Sequence, residues 1–366
     1  MNKKSILILA VILGLLTAAG IVYQFITNKP VQKDESLTVL MPGTEISALF
    51  DDGKTVWAGT GEGIFLLDRE SGETLRKLDA DIRMIYSAMI LKTEDGLVWA
   101  GHEDGLSAFD DQLQEVYRIG FPDIPKGRVN TLLALDGGLW AGTQNGAAHL
   151  SLKDGLWAVD EILTKESGLS EDVVQVIQKV GDELWFGSYL AREKGGISIL
   201  TDKGWTYLGV DDGIPHSYIN AILPLSENRV LIGSGQMIYG GLSIAEKTDS
   251  RWKITLNRDQ NDGIPGMKVR DLFLDSAGRL FITTESEGIL ILDDPDELYE
   301  TPLEGIVRTQ ENGLSDNEVK CVIECDQCYF LGCKYGLTRW EKQALAMDDI
   351  TESWKKCIIS IDDIRL

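Results

Sequence analysis

The segment VWAGTGEGIFLLD, from Val56 to Asp68, is the most informative stretch of the chain because it is repeated. VWAGHEDGLSAFD follows from Val98 and LWAGTQNGAAHLS from Leu139, and weaker copies continue beyond them. Aligned on one bulky residue, the units lie 41 to 50 residues apart, at Trp57, Trp99, Trp140, Trp185, Leu231, Phe281 and Phe330. Self-similarity at this period indicates a repeat architecture of seven units, from about Thr44 to Ile359.

Each unit contains four short segments of alternating apolar and polar residues, separated by clusters of Gly, Asp or Asn. In the third unit these segments start at Val129, Gly138, Ala147 and Leu156. Such alternation predicts β-strands. Four antiparallel strands repeated seven times predict an all-β protein, a seven-bladed β-propeller over residues 37–366, with an open solenoid as the alternative.

Two segments bear on whether the ring of blades closes. SWKKCIIS, from Ser353, carries an early Trp like the fourth strands LWAVDEI and RWKITLN of other units. It is therefore predicted to be the fourth strand of the last blade, which favours a closed ring over a solenoid. LTVLM, from Leu37 to Met41, is a candidate for an extra strand that joins the first and last blades.

The N-terminal region has the pattern of a membrane anchor. Residues 6–26 contain no charged side chain and would span about 31 Å as a helix, close to the ~30 Å of a bilayer core. Because Lys3 and Lys4 precede them, residues 1–5 are predicted to be cytoplasmic and residues 6–26 to form a single transmembrane signal anchor. Residues 27–36 form a polar linker, and the propeller lies on the extracytoplasmic side. Cleavage after the small residues at 17–19 is the alternative.

The units also carry a second recurring motif, seen in full in the stretches Glu166–Ser188 and Glu311–Leu337. This motif resembles the two-component regulator propeller repeat, in which Gly-Leu-Ser-x-x-x-Val and a turn precede Leu-Trp-x-Gly-Thr-x-x-Gly-Leu. Related forms begin at Asp211 and Asn261. The resemblance covers about 310 residues and implies an extracytoplasmic propeller of a membrane-spanning sensor. With no second apolar span and no kinase sequence, phosphotransfer by this chain itself is not expected.

The net charge of the chain argues against nucleic acid as a partner. The formal net charge is -23 and no basic block follows the first residues, so nucleic acid is not expected as a partner.

The repeated Trp and the Gly two residues after it, as in Trp57 and Gly59, are predicted to pack one blade on the next. Thr283 replaces that Gly in the sixth unit, where distortion is expected.

The site is predicted where the units differ, because propeller function lies on loops at one end of the central channel. The loops after Gly187 and Gly233 are longer than their counterparts. Together with the ends of entering loops and the starts of first strands, they give the predicted ligand-binding residues: Arg128, Tyr189, Arg192, Lys194, His216, Gln236, Tyr239, Arg270 and Lys320. Aromatic, amide and cationic groups of this kind suit a small anionic or carbohydrate ligand.

The start of each first strand is predicted to line the channel, at Ser47, Ser87, Asn130, Val174, Asn220, Arg270 and Lys320. Enzyme signatures are scarce, since the chain has three His residues and none of the usual metal or nucleophile motifs. His102, with Glu103, and His216 are the candidates for acid–base catalysis. The stretch Asp259–Gly263 begins like a calcium loop but lacks the distal Glu, so a solvated turn is expected.

Four of the five cysteines crowd the last unit, at Cys321, Cys325, Cys328 and Cys333. On strands, four sulfurs cannot converge on one metal ion, so no metal is expected. Cys325 and Cys328 flank a hairpin turn and are the candidates for a disulfide. If they lie directly opposite each other, Cys321 faces Gly332 and a second pair is excluded.

The sequence therefore predicts a membrane-anchored propeller, without cofactor or metal, that binds a small ligand, a glycan or an extracytoplasmic protein as a sensor-like or scaffolding module. The alternative is a propeller lyase or hydrolase that acts on extracellular glycan.

Overall fold

The computed structural model describes residues 34–86, 88–190 and 194–345. The predicted membrane segment 6–26 lies outside these ranges. Within them, none of the helices has the length and apolar character needed to cross a bilayer.

Seven four-stranded antiparallel sheets follow one another along the chain. Blades 1 to 3 contain β2–β5 (Ile46–Asp51, Thr55–Thr60, Gly63–Asp68, Thr74–Lys77), β6–β9 (Ile90–Lys92, Val98–His102, Gly105–Phe109, Glu115–Gly120) and β10–β13 (Val129–Leu135, Gly138–Thr143, Gly146–Lys153, Leu156–Leu163). Blades 4 and 5 contain β14–β17 (Val174–Val180, Glu183–Ser188, Ile197–Thr201, Gly204–Leu208) and β18–β21 (Ile219–Ser226, Arg229–Gln236, Tyr239–Thr248, Arg251–Arg258). Blades 6 and 7 contain β22–β25 (Val269–Leu274, Leu280–Thr284, Ile289–Leu292, Ile306–Arg308) and β26–β28 (Val319–Glu324, Cys328–Cys333, Gly336–Glu341) with β1 (Leu37–Leu40). The predicted seven-bladed, all-β architecture is confirmed.

Four short 3-10 helices lie outside the sheets, at Lys165–Ser167, Val210–Asp212, Pro295–Tyr299 and Gln310–Asn312. Three of them belong to the Gly-Leu-Ser type of motif, in loops that enter a blade. In each of these three a Gly with positive φ ends the turn, at Gly168, Gly213 and Gly313. The motif is therefore a tight entry turn, and the apolar residue after each Gly is buried.

Blade 7 is completed by the N-terminal strand. β1 pairs with β28, from Leu37 opposite Trp340 to Leu40 opposite Leu337, and it is the outermost strand of the sheet. The prediction that SWKKCIIS takes this position is wrong, because β1 occupies it; residues 353–360 lie outside the described ranges. The extra strand predicted at Leu37–Met41 is present over Leu37–Leu40, but it is the fourth strand of blade 7 and pairs with β28 instead of joining the first and last blades.

The repeated bulky residues form the blade-to-blade core, as predicted. Trp57, Trp99 and Trp185 are among the largest fully buried side chains. Their rings meet aromatic rings of the following blade: Trp57 meets Phe109 at 5.8 Å, and Trp185 meets Trp252 at 4.8 Å between centroids. The repeated Gly leaves room for the next inner strand, since a Cβ on Gly101 would lie 2.7 Å from Val129. Blade 6 is the exception, because Thr283 stands where the other blades have this Gly. Thr283 is buried and donates to the Asp271 carbonyl at 3.4 Å, and blade 6 keeps four strands.

Acidic residues near the first hairpin of a blade bind the outer strand of the next blade. Asp95 accepts a hydrogen bond from Trp157 Nε1 at 2.8 Å. Glu183 accepts from Trp252 Nε1 at 2.7 Å and from Lys247 Nζ at 2.8 Å. Burial alone raises the pKa of Glu183, but the bonds from Lys247 and the Trp side chains outweigh it and lower the pKa below 4.5.

We expect Glu183→Gln to destabilise the protein by about 1–3 kcal/mol at neutral pH, because the Lys247 charge loses its partner at a partly buried seam. The folded-state pKa is depressed, so this contribution is present above pH 4.5 and is lost as the pH falls through the folded value. Chemical denaturation of both proteins at pH 7 and at low pH measures it. Glu227→Gln, at an exposed position in the matching hairpin of blade 5, is the control. The assignment is contradicted if the difference in free energy of unfolding between wild type and Glu183→Gln is as large at low pH as at pH 7.

Candidate functional site

The inner strands surround a central channel that encloses about 810 Å³. We call the end at which these strands begin the mouth. Six inner strands carry a β-bulge near their start, at which one extra residue has no partner on the neighbouring strand. A bulge leaves one residue outside the ladder and re-aims its side chain. The bulged residues all line the channel: Ser47, Asn130, Gln175, Asn220, Arg270 and Lys320.

These positions match the predicted channel residues with one correction. In blade 4 the lining residue is Gln175, whereas Val174 is buried in the blade 3–blade 4 core. The prediction is off by one residue, because Val174 stands before the bulge, as Val129 and Val269 do, whereas Gln175 is the bulged residue itself. Ser87 lies outside the described residues.

Several bulged side chains bind the next blade. Asn130 Nδ2 donates to the Val174 carbonyl at 2.9 Å, and Asn220 Nδ2 donates to the Val269 carbonyl at 2.9 Å. Arg270 reaches Glu318 of blade 7 at 4.0 Å, and Lys320 contacts Glu45 at the entry to blade 1. The ring of bulged residues therefore ties neighbouring blades together at the mouth, a structural role that the sequence did not predict.

The predicted cations Arg270 and Lys320 are present at the mouth together with Lys268, and each of these three is paired with a carboxylate. Lys268 and Arg270 both contact Glu285, with a distance of 3.4 Å for Arg270. Lys320 lies 3.6 Å from Glu318 and also contacts Glu45. Three cations meet three carboxylates, so the mouth does not carry the excess of positive charge that Arg270 and Lys320 alone suggested.

Aromatic side chains from blades 4 and 5 form a cluster on the mouth rim. The Tyr189 and Tyr218 rings are 4.8 Å apart, His216 lies 4.7 Å from Tyr218, and Tyr239 lies 6.3 Å from His216. Lys268 Nζ donates to the Tyr189 hydroxyl at 3.3 Å. Burial, followed by the charge of Lys268, lowers the pKa of His216, so its ring is neutral at pH 7. We call Tyr189, His216, Tyr218 and Tyr239 the aromatic cluster.

The two insertions that predicted this cluster have different structures. In blade 5 the insertion lengthens the hairpin: β19 and β20 extend to Gln236 and Tyr239, which face each other across a two-residue turn. The turn residues Met237 and Ile238 are 72% and 85% exposed. In blade 4 the connection is a loop in which the Lys194 backbone donates to Glu171 at 3.3 Å, and Arg192 lies outside the described residues.

A second aromatic group lies at blades 2 and 3. The Arg128 guanidinium covers the exposed Tyr86 ring at 4.9 Å and donates to Asn130 Oδ1 at 2.8 Å. Tyr86 has a φ of 62°, a conformation that costs a non-Gly residue energy and is often found at functional sites. Its backbone N–H donates to Glu45 at 3.4 Å.

These contacts join into one chain around the mouth. Its members run in the order Tyr239, His216, Tyr218, Tyr189, Lys268, Glu285, Arg270, Glu318, Lys320, Glu45, Tyr86, Arg128 and Asn130. Six of them were not predicted from the sequence: Tyr218, Lys268, Glu45, Tyr86, Glu285 and Glu318. Four of the six, Tyr218, Lys268, Glu45 and Glu318, lie just before an inner strand, a position that could have identified them.

The acid–base candidate His102 is buried and hydrogen-bonded within blade 2. His102 is 2% exposed; its Nε2 is 3.1 Å from the Ser107 hydroxyl, and its Nδ1 accepts from the Asp104 backbone at 3.2 Å. Burial, followed by the charge of Arg118, lowers the pKa of His102 to about 4. His102, Glu103 and His216 are absent from the described lining of the channel, which includes Arg270.

The described residues contain no group of three or more His, Cys, Asp or Glu side chains placed to hold a metal ion. In the turn Asp259–Gly263, Asp259 accepts from the Asn261 backbone at 2.7 Å and Asp262 binds Arg258 at 3.3 Å. One carboxylate thus bonds the backbone of the turn and the other bonds Arg258, the last residue of β21.

Solved structures with the same architecture include extracellular domains of two component systems. The extracellular domain of the putative hybrid two component system BT3049 from B. thetaiotaomicron is 18% identical, with a TM-score of 0.68 over 85% of this chain and 41% of that chain. The corresponding domain of BT4673 is 19% identical, with a TM-score of 0.63 over 83% and 39%. Virginiamycin B lyase from Staphylococcus aureus is 14% identical, with a TM-score of 0.59 over 83% and 98%.

The chain thus spans about two fifths of the length of the two extracellular domains. No family model and no curated protein matches it. At these identities the likeness establishes that the chain shares the propeller fold with these proteins.

Proposed function

We propose that the protein is an extracytoplasmic binding propeller, anchored by residues 6–26, whose ligand site is the channel mouth. The observation that carries the proposal is the aromatic cluster beside the channel, where four rings from two blades meet at a rim with exposed apolar residues. Two of the rings, Tyr189 and Tyr239, sit in the insertions that interrupt the repeat.

The pairing of charges at the mouth bears on the class of ligand. Lys268, Arg270 and Lys320 already have carboxylate partners, so an anion would have to displace Glu45, Glu285 or Glu318. Aromatic rings beside carboxylates and amides instead suit an uncharged ligand with a ring and hydroxyl groups, such as a sugar. A glycan or a small carbohydrate is therefore the preferred ligand.

Catalysis on glycan is the second candidate function, and the mouth gives it less support. The unprotonated ring nitrogen of His102, Nδ1, already accepts a hydrogen bond from the Asp104 backbone. A general base must instead reach the substrate with this nitrogen. The sensor-like role follows the likeness to the extracellular domains of the two component systems BT3049 and BT4673.

We expect Tyr189→Ala and Tyr218→Ala each to weaken ligand binding about tenfold or more, because each removes a stacking surface. A thermal-shift screen of residues 35–366, one compact unit, against sugars, nucleotides and peptidoglycan fragments identifies the ligand, and calorimetry then measures affinity. Tyr207→Ala, at an exposed position on the outer strand β17, is the matched control. Full affinity in both cluster variants, with loss in Arg270→Ala and Lys320→Ala, would show that the ion pairs bind the ligand instead.

A further inference from the structure

Cys325 and Cys328 lie at the ends of a two-residue turn between β26 and β27, beside blade 1. The Cys325 N–H donates to the Cys328 carbonyl at 2.8 Å, and the next residues along the ladder, Glu324 and Tyr329, are opposite each other. Hydrogen-bonded opposite residues have Cα atoms about 5.5 Å apart, a separation that a disulfide spans without movement of the backbone.

Both sulfur atoms face the same neighbour. Cys325 Sγ lies 3.6 Å from Asp51 Oδ2, and Cys328 Sγ lies 3.7 Å from the Arg69 carbonyl oxygen. Asp51 ends the first strand of blade 1, and Arg69 follows its third strand. The two thiols therefore lie on one face of blade 7, buried in the seam at which the ring closes.

The two thiols differ in acidity. A hydrogen bond from the Cys325 thiol lowers the pKa of Cys328 despite its burial, and the charges of Arg339 and Lys342 act in the same direction. The same hydrogen bond, with burial and the Asp51 charge, raises the pKa of Cys325. Cys328 is thus the thiol that ionises more readily, and Cys325 is the one that keeps its proton.

We propose that Cys325 and Cys328 form a reversible dithiol–disulfide pair at the seam between blades 7 and 1, oxidised by exchange with a small disulfide. The Cys328 thiolate attacks one sulfur of the small disulfide, forms a mixed disulfide and releases one thiolate. The released thiolate takes the proton of Cys325, whose thiolate then attacks Cys328 Sγ and releases the second thiolate, which takes up the proton that Cys328 gave to solvent on ionising. Two protein thiols and one small disulfide thereby become one protein disulfide and two small thiols. The structure, in which all four described cysteines are free, represents the reduced form.

The other described cysteines of blade 7 cannot substitute in this pair. Cys321 is opposite Gly332, as expected from the sequence, and Cys333 is opposite Val319. Because Cys333 also sits beside Thr338 at 3.9 Å, its sulfur lies at the mouth end of the blade, far from the turn. The pairing is therefore specific to Cys325 and Cys328.

Arg69 controls access to the pair. Its guanidinium bridges Asp51 at 2.6 Å and Asp326, in the turn between the two cysteines, at 3.1 Å. Because both sulfurs are buried, a small disulfide reaches Cys328 only when the turn moves away from blade 1. Removal of this bridge increases the open fraction and with it the rate of oxidation.

The test incubates the full chain with glutathione disulfide, denatures it, alkylates it and maps the peptides by mass spectrometry. We expect three alkylated cysteines instead of five and a disulfide between Cys325 and Cys328. Cys325→Ser is expected to keep a glutathione adduct on Cys328, whereas Cys328→Ser forms none. Arg69→Ala is expected to react several-fold faster than wild type, and Cys321→Ser, the matched control, like wild type.

Three outcomes overturn the proposal: a disulfide that involves Cys321 or Cys333, an adduct on Cys325 in Cys328→Ser, or full alkylation of both thiols after prolonged exposure to glutathione disulfide. Because the readout is covalent chemistry in the absence of any ligand, each outcome is independent of the proposed function of the mouth.

Discussion

Replacing Leu37 and Leu40 together by Asp is expected to open the ring and unfold the protein at temperatures where the wild type is folded. Leu37 is buried in a cluster with Tyr329, Trp340 and Leu345, and Leu40 packs at the seam against blade 1. Loss of two Leu side chains from the core and introduction of two charges at the same places cost roughly 5–10 kcal/mol. This is of the same order as the whole stability of a domain, about 5–15 kcal/mol.

Thermal unfolding followed by circular dichroism measures the effect, and limited proteolysis shows whether blade 7 is cut first. Val39→Asp is the control, because it adds one charge to the same strand at a side chain that is 37% exposed, and we expect it to cost about 1 kcal/mol or less. A double variant that is as stable as this control would show that β1 contributes little to closure.

The second large effect is expected for Gly168→Ala, in the entry turn of blade 4. Gly168 has a φ of 124°, which an L residue rarely adopts, and a Cβ there would lie 2.2 Å from Trp205 Nε1. Since Trp205 packs against Phe186 in the core, it cannot move away without cost. We expect a loss of about 3–5 kcal/mol in the free energy of unfolding, from backbone strain and overlap together.

Gly204→Ala separates the two causes. Gly204 has a φ of 105°, but no atom lies within 4 Å of the position that a Cβ would occupy there, so only the backbone strain of about 1–2 kcal/mol applies. Urea denaturation of the three proteins gives both values. Equal losses in the two variants would mean that the overlap with Trp205 is relieved at no cost.

The blades could be predicted because the sequence of each strand shows by itself which of its side chains are buried. The strands of the third unit begin within one residue of their predicted starts, at Val129, Gly138, Gly146 and Leu156. Alternation reflects which side chains face the neighbouring blade, and the repeated Trp and Gly mark the same contact each time. Local patterns of this kind need no knowledge of distant partners.

Closure and the details of the mouth could not be predicted, because they depend on long-range pairs. β1 joins β28 about three hundred positions away, and a strand of four residues has too short a pattern to identify its partner. The partners of Lys320 were missed because Glu45 is distant from it in sequence and Glu318 is one acidic residue among many. In blade 4 the residue before the bulge, Val174, was predicted to line the channel in place of the bulged Gln175.

The way in which β1 completes blade 7 has a mechanical consequence. β28 runs from the mouth toward the opposite face, and β1 is antiparallel to it, so the chain enters the ring at Leu37, on the face away from the mouth. Tension applied between a tether at Leu37 and a ligand at the mouth acts along β1. The hydrogen bonds between β1 and β28 run across that direction. These hydrogen bonds therefore bear the load together in shear instead of breaking one after another. The ring resists a force along its axis far better than a force that peels β1 sideways from β28.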